Sequence, residues 1–153
     1  MSSAETPDYV AIDRLQRRYA DLVTRRDWSS LAQLFEADCP IELDLRGRTL
    51  ELCGGDSIAS FIESAISGFD FFVFSILNAV TDDLDVPMGR ATGRMYICEF
   101  RHDAQTNEFS QAFGLYRDEY RRRPDGWKFA ARRYCSIGRN VADGFVSFPL
   151  PTD

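Results

Sequence analysis

Few side chains in this 153-residue sequence combine a chemically useful type with a setting that would shield it from water. Glu99, in "MYICEFR", is one of them. If Phe74 marks the inner side of the neighbouring strand, Glu99 is the acid that strand alternation aims inward, among Phe72, Phe74 and Ile97. Desolvation disfavours the anion, so a carboxyl placed there would titrate high and be poised to take or give a proton. Two other readings stay open: an ion pair with one of the many arginines, and a one-residue slip of register that would turn Glu99 outward. Tyr19 lies on the apolar stripe of a helix. Its hydroxyl could donate to a carbonyl oxygen, or bond to backbone as a core tyrosine does. Asn78 could hold a ligand or finish a strand. His102, the single histidine, falls at a strand end beside a turn and reads as solvated rather than catalytic.

Metal chemistry finds little support. Cys39, Cys53, Cys98 and Cys135 are scattered without CxxC spacing, and three of them sit in apolar segments as small core residues do. No metal and no cofactor is expected. The net charge of −6 argues against a nucleic-acid binder. No apolar run approaches the ~20 residues of a membrane-spanning helix. The first residues lack a basic region followed by an apolar core, so no secretory signal is expected, and with reduced thiols this points to the cytoplasm. "YRRRPDGW" gathers Arg121, Arg122 and Arg123 at a turn, read as a solvated hairpin end in preference to an anion or partner patch.

The elements that must position these groups follow from periodicity. Thr6 is expected to cap a helix with Pro7 in its first turn, and Ile12, Leu15, Tyr19, Leu22 and Val23 recur at helical spacing. Asp21 lies off that stripe and suits a surface pair with Arg17, Arg18 or Arg25. Asp27 can cap a short second helix with Leu31, Leu34 and Phe35 inside. "PIELDLRGRTLEL" alternates around Arg46-Gly47-Arg48, a β-hairpin with Ile41, Leu43 and Leu45 on one face. Asp56 is expected to cap a third helix carrying Ile58, Phe61, Ile62, Ala65 and Ile66 inward. Four strands should follow, over 70–80, 90–101, 109–122 and 127–137, with an apolar tail over 139–153 docked on the domain or on a neighbour. The expected fold is a single α+β domain over 1–153, a strongly bent antiparallel sheet wrapped as a cone around three helices.

"FDFFVFSILN" does not alternate. Phe72, Phe74 and Ile76 share one face with Asn78; Phe71, Val73 and Leu77 share the other with Ser75. The first face is expected to line the cone and the second to be covered by further copies of the chain, as a homodimer or homotrimer.

"RRYADLVTRRDWSSLAQLF", "GGDSIASFIESAI", "FSILNAV", "GRATGRMYICEFRH" and "PDGWKFAARRY", in this order over about residues 9–138, resemble the SnoaL-like branch of the nuclear transport factor 2 fold. Scytalone dehydratase, polyketide cyclases and a dehydrochlorinase belong to that branch, and ketosteroid isomerase shares the fold. The resemblance implies cofactor-free proton transfer in a cone-shaped pocket. Matched position by position, this chain departs from the pattern. Val23 and Thr24 stand where dehydratase-like members carry a Tyr-Asp pair. Leu43 replaces a cone-facing Tyr or Asp, and Phe74 replaces the His four residues before Asn78. Glu99 is nearest to a second His, and Tyr19 matches an oxyanion-stabilising Tyr. The implied site is Tyr19, Leu43, Phe72, Phe74, Ile76, Asn78 and Glu99, with Glu99 and Tyr19 as catalytic candidates. Three functions remain open. One is a lyase or isomerase acting on a small apolar molecule, polycyclic or aromatic. Another is a binding protein for such a molecule. The third is a structural subunit like the small subunit of aromatic-ring-hydroxylating dioxygenases, whose final strand has a similar "DGW…ARR".

Overall fold

The computed structural model describes residues 2–152. Their order is α1 (Thr6–Arg25), α2 (Trp28–Ala32), β1 (Pro40–Asp44), β2 (Thr49–Cys53), α3 (Gly54–Ile66), β3 (Phe69–Asp85), β4 (Arg90–Asp103), β5 (Glu108–Arg123), β6 (Gly126–Val141) and β7 (Gly144–Ser147). The strands form one sheet in the order β2-β1-β6-β5-β4-β3, with β7 alongside β6. All pairs are antiparallel except β1 with β6. This is the expected α+β arrangement, a curved sheet with three helices.

The periodic stripe of α1 is its buried face: Ile12, Leu15, Tyr19, Leu22 and Val23 enter the core, together with Gln16. The cap differs from expectation. Glu5 already has helical angles, so Thr6 falls inside the first turn and its hydroxyl donates to Ser2 O at 3.2 Å. Asp8 is the acidic residue in the first turn of α1. It accepts from Trp127 Nε1 at 2.8 Å and from Arg122 at 3.0 Å, which fastens α1 to the β5–β6 turn. Arg123 likewise bonds Glu36. Two of the three turn arginines are therefore fasteners, while Asp21 pairs with Arg25 on the surface at 3.6 Å.

Asp27 caps α2 by accepting from the Ser30 N–H at 3.2 Å. Asp56 does not cap α3. Cys53, with extended angles, holds the cap position, and the helix begins at Gly54. Gly55 lets α3 press onto α2: a Cβ there would lie 1.9 Å from Ala32 O. The hairpin is as its alternation implies, with Ile41 and Leu43 buried and Leu45 half-buried.

All four long strands exceed their expected limits, β3 the most at its end, where "TDDLD" continues it as far as Asp85. Register shifts in β3 at Ile76/Asn78 and Thr81/Asp83 mark bulges that bend the sheet. The tail supplies β7, which adds to β6 beyond the residues that β1 occupies. Its Phe148 lies under Arg46 and Arg139, with ring centroids 5.3 and 5.5 Å from the guanidinium carbons.

Candidate functional site

The inner face of the sheet is divided into a filled end and a hollow end. At the filled end Tyr19 meets Phe35, Phe74, Tyr116 and Phe129 edge-on, with centroids 5.4 to 6.1 Å away. Arg132 stands among them, fully buried, with its guanidinium carbon 4.1 Å from the Tyr116 centroid and 4.3 Å from those of Tyr19 and Phe129. Its counter-ion is Asp118, held by two parallel bonds of 2.7 and 2.9 Å. Burial works against the guanidinium charge, but Asp118 outweighs it and holds Arg132 above its ordinary value. Tyr120 closes this network, accepting from Gln16 Nε2 at 2.9 Å.

At the hollow end lies a cavity of about 220 Å³ between α3, the β1–β2 hairpin and β4, β5 and β6. Helix α3 contributes Ile58, Phe61, Ile62, Ala65 and Ile66, and the hairpin contributes Leu43 and Leu45. The space exists because Ala112, opposite Glu99 on one side and Arg139 on the other, is small. Gly114 makes further room. Its missing Cβ lets the Tyr134 ring lean over β5; a Cβ there would lie 2.1 Å from that ring.

Polar groups converge on the hollow. Glu99 faces it, and loss of solvent pushes its carboxyl above the ordinary carboxylate value, opposed by Arg101. The nearest Arg101 nitrogen is 3.8 Å from Glu99 Oε2, too far for a hydrogen bond. Tyr116 and Tyr134 line the same wall beside Ser136. Burial raises both phenols, so they are neutral donors across the physiological range. Tyr116 is joined at 3.4 Å to the hydroxyl of Tyr19. Arg48, Arg101 and Arg139 complete the polar side. A larger groove of about 920 Å³ lies open elsewhere on the sheet, edged by charged residues such as Arg94, which pairs with Asp82 at 2.7 Å. It lacks the enclosure and apolar walls of a ligand pocket.

Of the residues singled out by sequence, Leu43 and Glu99 line the hollow. Tyr19, Phe72 and Phe74 are buried core residues, and Ile76 packs against that core. Tyr19 reaches the cavity only through Tyr116. Asn78 is exposed: the bulge after Ile76 sets it opposite Tyr96, on the outer face. His102 bonds Asp70 at 2.6 Å and Asn107 at 3.1 Å at the surface. Tyr116, Tyr134, Ser136 and Arg132 went unnoticed. Tyr116 could have been found by period-two counting from Tyr120, but the same count from Phe129 turns Arg132, Tyr134 and Ser136 outward, because an extra residue between Phe129 and Ala131 reverses the faces of β6. Among the described residues no group of three or more His, Cys, Asp or Glu side chains is placed to hold a metal ion, and no helix is long and apolar enough to cross a membrane.

Comparison with known proteins agrees with this architecture. A scytalone dehydratase candidate from Novosphingobium aromaticivorans superposes with a TM-score of 0.77 at 17% identity, covering 99% of this chain and 94% of that one. A nuclear transport factor 2-like protein with a cystatin-like fold from the same organism gives 0.70 at 23% identity, covering 86% and 83%. A hexachlorocyclohexane dehydrochlorinase from Novosphingobium barchaimii gives 0.75 at 17% identity, covering 97% and 98%. At these identities the likeness is one of fold. Among curated proteins none matches the sequence. The SnoaL-like domain family matches residues 4–133, nearly the whole chain, and the protein belongs to that family.

Proposed function

We propose that the protein binds a small, mainly apolar molecule in the cavity beside α3 and that Glu99 moves a proton on it without a cofactor, as a lyase or isomerase does. The observation that carries this reading is the meeting of one desolvated carboxyl and two neutral phenols in an otherwise apolar hollow. In such a reaction Glu99 accepts a proton from a carbon next to a carbonyl. The electron pair moves to the carbonyl oxygen, where the Tyr116 and Tyr134 hydroxyls donate to the developing charge. Return of the proton to another carbon completes an isomerisation; departure of a leaving group completes an elimination. Tyr19 would support Tyr116 from behind rather than touch the ligand.

Binding without turnover is the second reading. It is favoured by Thr24 and Phe74, which stand where dehydratase-like members carry acid–base residues. Native mass spectrometry of gently purified protein identifies a retained molecule, and incubation of that molecule with the protein in D₂O then reads turnover. Label should enter with wild type and not with Glu99→Gln, while binding persists. An active Glu99→Gln removes the catalytic assignment, and an unlabelled ligand with wild type leaves binding alone.

Assembly through the outer face of the sheet belongs to the same proposal. Phe71, Phe109 and Phe145 are 48%, 57% and 54% exposed there, beside Phe100 and Phe113. So much apolar surface suits burial against a second copy. Four free cysteines, three of them buried, suit a reducing compartment such as the cytoplasm.

A further inference from the structure

We infer that the molecule held in the cavity is a small anion, a single ring bearing a carboxylate, with the carboxylate bound by Arg48, Arg101 and Arg139. This rests on the ligand-binding reading above and gives that ligand its chemical class.

The first observation is charge. Three guanidinium groups line the hollow against one carboxyl, Glu99. Arg101 Nε is buried with no hydrogen-bond partner, and its nearest acid stays 3.8 Å away. Arg139 spends one nitrogen on Leu45 O at 3.1 Å and has no carboxylate partner among the described residues. The Arg48 side chain has neither a hydrogen bond nor an ion pair among the described residues. Three cations gathered at an apolar hollow with a single carboxyl among them, 3.8 Å from Arg101, leave an excess of positive charge that invites an anion. The forked geometry of guanidinium matches a carboxylate better than a neutral oxygen.

The second observation is preorganisation. Arg101 lies over the Phe69 ring at 5.3 Å and Arg139 over Phe148 at 5.5 Å. These stacks fix both side chains before a ligand arrives and reduce the ordering cost of capture.

The third observation is size and lining. A dry cavity of roughly 150 Å³ accepts benzene, so about 220 Å³ leaves room for one substituted ring rather than several. Leu43, Ile58 and Ile62 supply walls for that ring.

Methyl NMR of Leu43, Ile58 and Ile62 tests this, with benzoate and its neutral isostere benzamide titrated into wild type, Arg48→Ala and Arg101→Gln. Benzoate should shift these methyls at about tenfold lower concentration than benzamide in wild type, and the difference should shrink in either variant. Benzoate binding should also weaken with added salt. Arg48 is exposed, so Arg48→Ala keeps the test sound if Arg101→Gln misfolds. Equal binding of both probes, or a preference untouched by Arg48→Ala, overturns the anionic class and leaves the cavity reading standing. If neither probe moves the methyls at millimolar concentration, both fall together.

Discussion

The Thr24 hydroxyl oxygen accepts the backbone N–H of Phe74 at 3.0 Å. The sequence resemblance matches these two positions to an aspartate and a histidine of dehydratase-like members, and here they make a structural contact. β3 is an edge strand, so this N–H points away from the ladder and needs a partner from α1. Thr24→Val should therefore cost about 1–3 kcal/mol, read as a lower urea midpoint. An unchanged midpoint would mean that water reaches the Phe74 N–H.

Glu99 gives stability a pH dependence of its own. Its folded value lies above its ordinary 4.5 because burial disfavours the anion. The folded state then holds a proton the unfolded chain has released, so stability falls as pH rises from the ordinary value through the folded one. Glu99→Gln should flatten that decline in denaturation curves recorded across the range. A decline of the same size in the variant would assign it to other groups.

His102 behaves in the opposite sense to a buried imidazole. Bonds to Asp70 and Asn107, and the nearby charge of Asp103, raise it above 6.5. The stabilisation it supplies is complete below the unfolded value and fades as pH rises through the folded one. As the single histidine, it gives an isolated NMR titration. Its midpoint should exceed 6.5 in wild type and drop in Asp70→Asn; no difference between the two would remove the ion pair as the cause.

The buried pair in the cone offers the largest single-site effect. Asp118→Asn leaves Arg132 charged and without its bidentate partner, at a cost of about 3–5 kcal/mol. The combined change Asp118→Leu with Arg132→Met should recover much of this, because apolar groups can replace a buried pair. Chemical denaturation of the three variants separates these outcomes, and a mild Asp118→Asn would show that the aromatic rings alone support the guanidinium.

The outer face should answer to charge. Phe71→Asp with Phe109→Asp places carboxylates on the two exposed aromatic positions that flank His102, one on β3 and one on β5. Native mass spectra should show a homo-oligomer for wild type and a monomer for the double variant. A monomeric wild type would remove the interface.

Sequence periodicity carried the reading far where one pattern ruled a whole element. The stripe of α1, the β1–β2 alternation and the Asp27 cap all show in the structure because local chemistry and tertiary burial agree. Asn78 shows where the rule breaks: one inserted residue after Ile76 reverses inside and outside, and no residue type in "SILNAV" announces it. The limits of β3 were hidden for a related reason, since "TDDLD" has turn composition but is held in the ladder by β4. Arg132 was passed over because arginine is seldom buried. Only its partner Asp118, two strand positions before the buried Tyr120, makes that burial tolerable. The arginines of the cavity were hidden by abundance, being three among many until the fold brought them to one end of the sheet.

The parallel pairing of β1 with β6 has a consequence for the growing chain. Arg46, beside that pairing, bonds Ser136 O across 90 residues. During synthesis the β1–β2 hairpin therefore waits, with its apolar face uncovered, until nearly the whole remaining sheet has been made. Contacts so distant along the chain slow folding and lengthen the exposure of unpaired edges. The nascent chain should depend on a chaperone most in the interval between the emergence of β2 and that of β6.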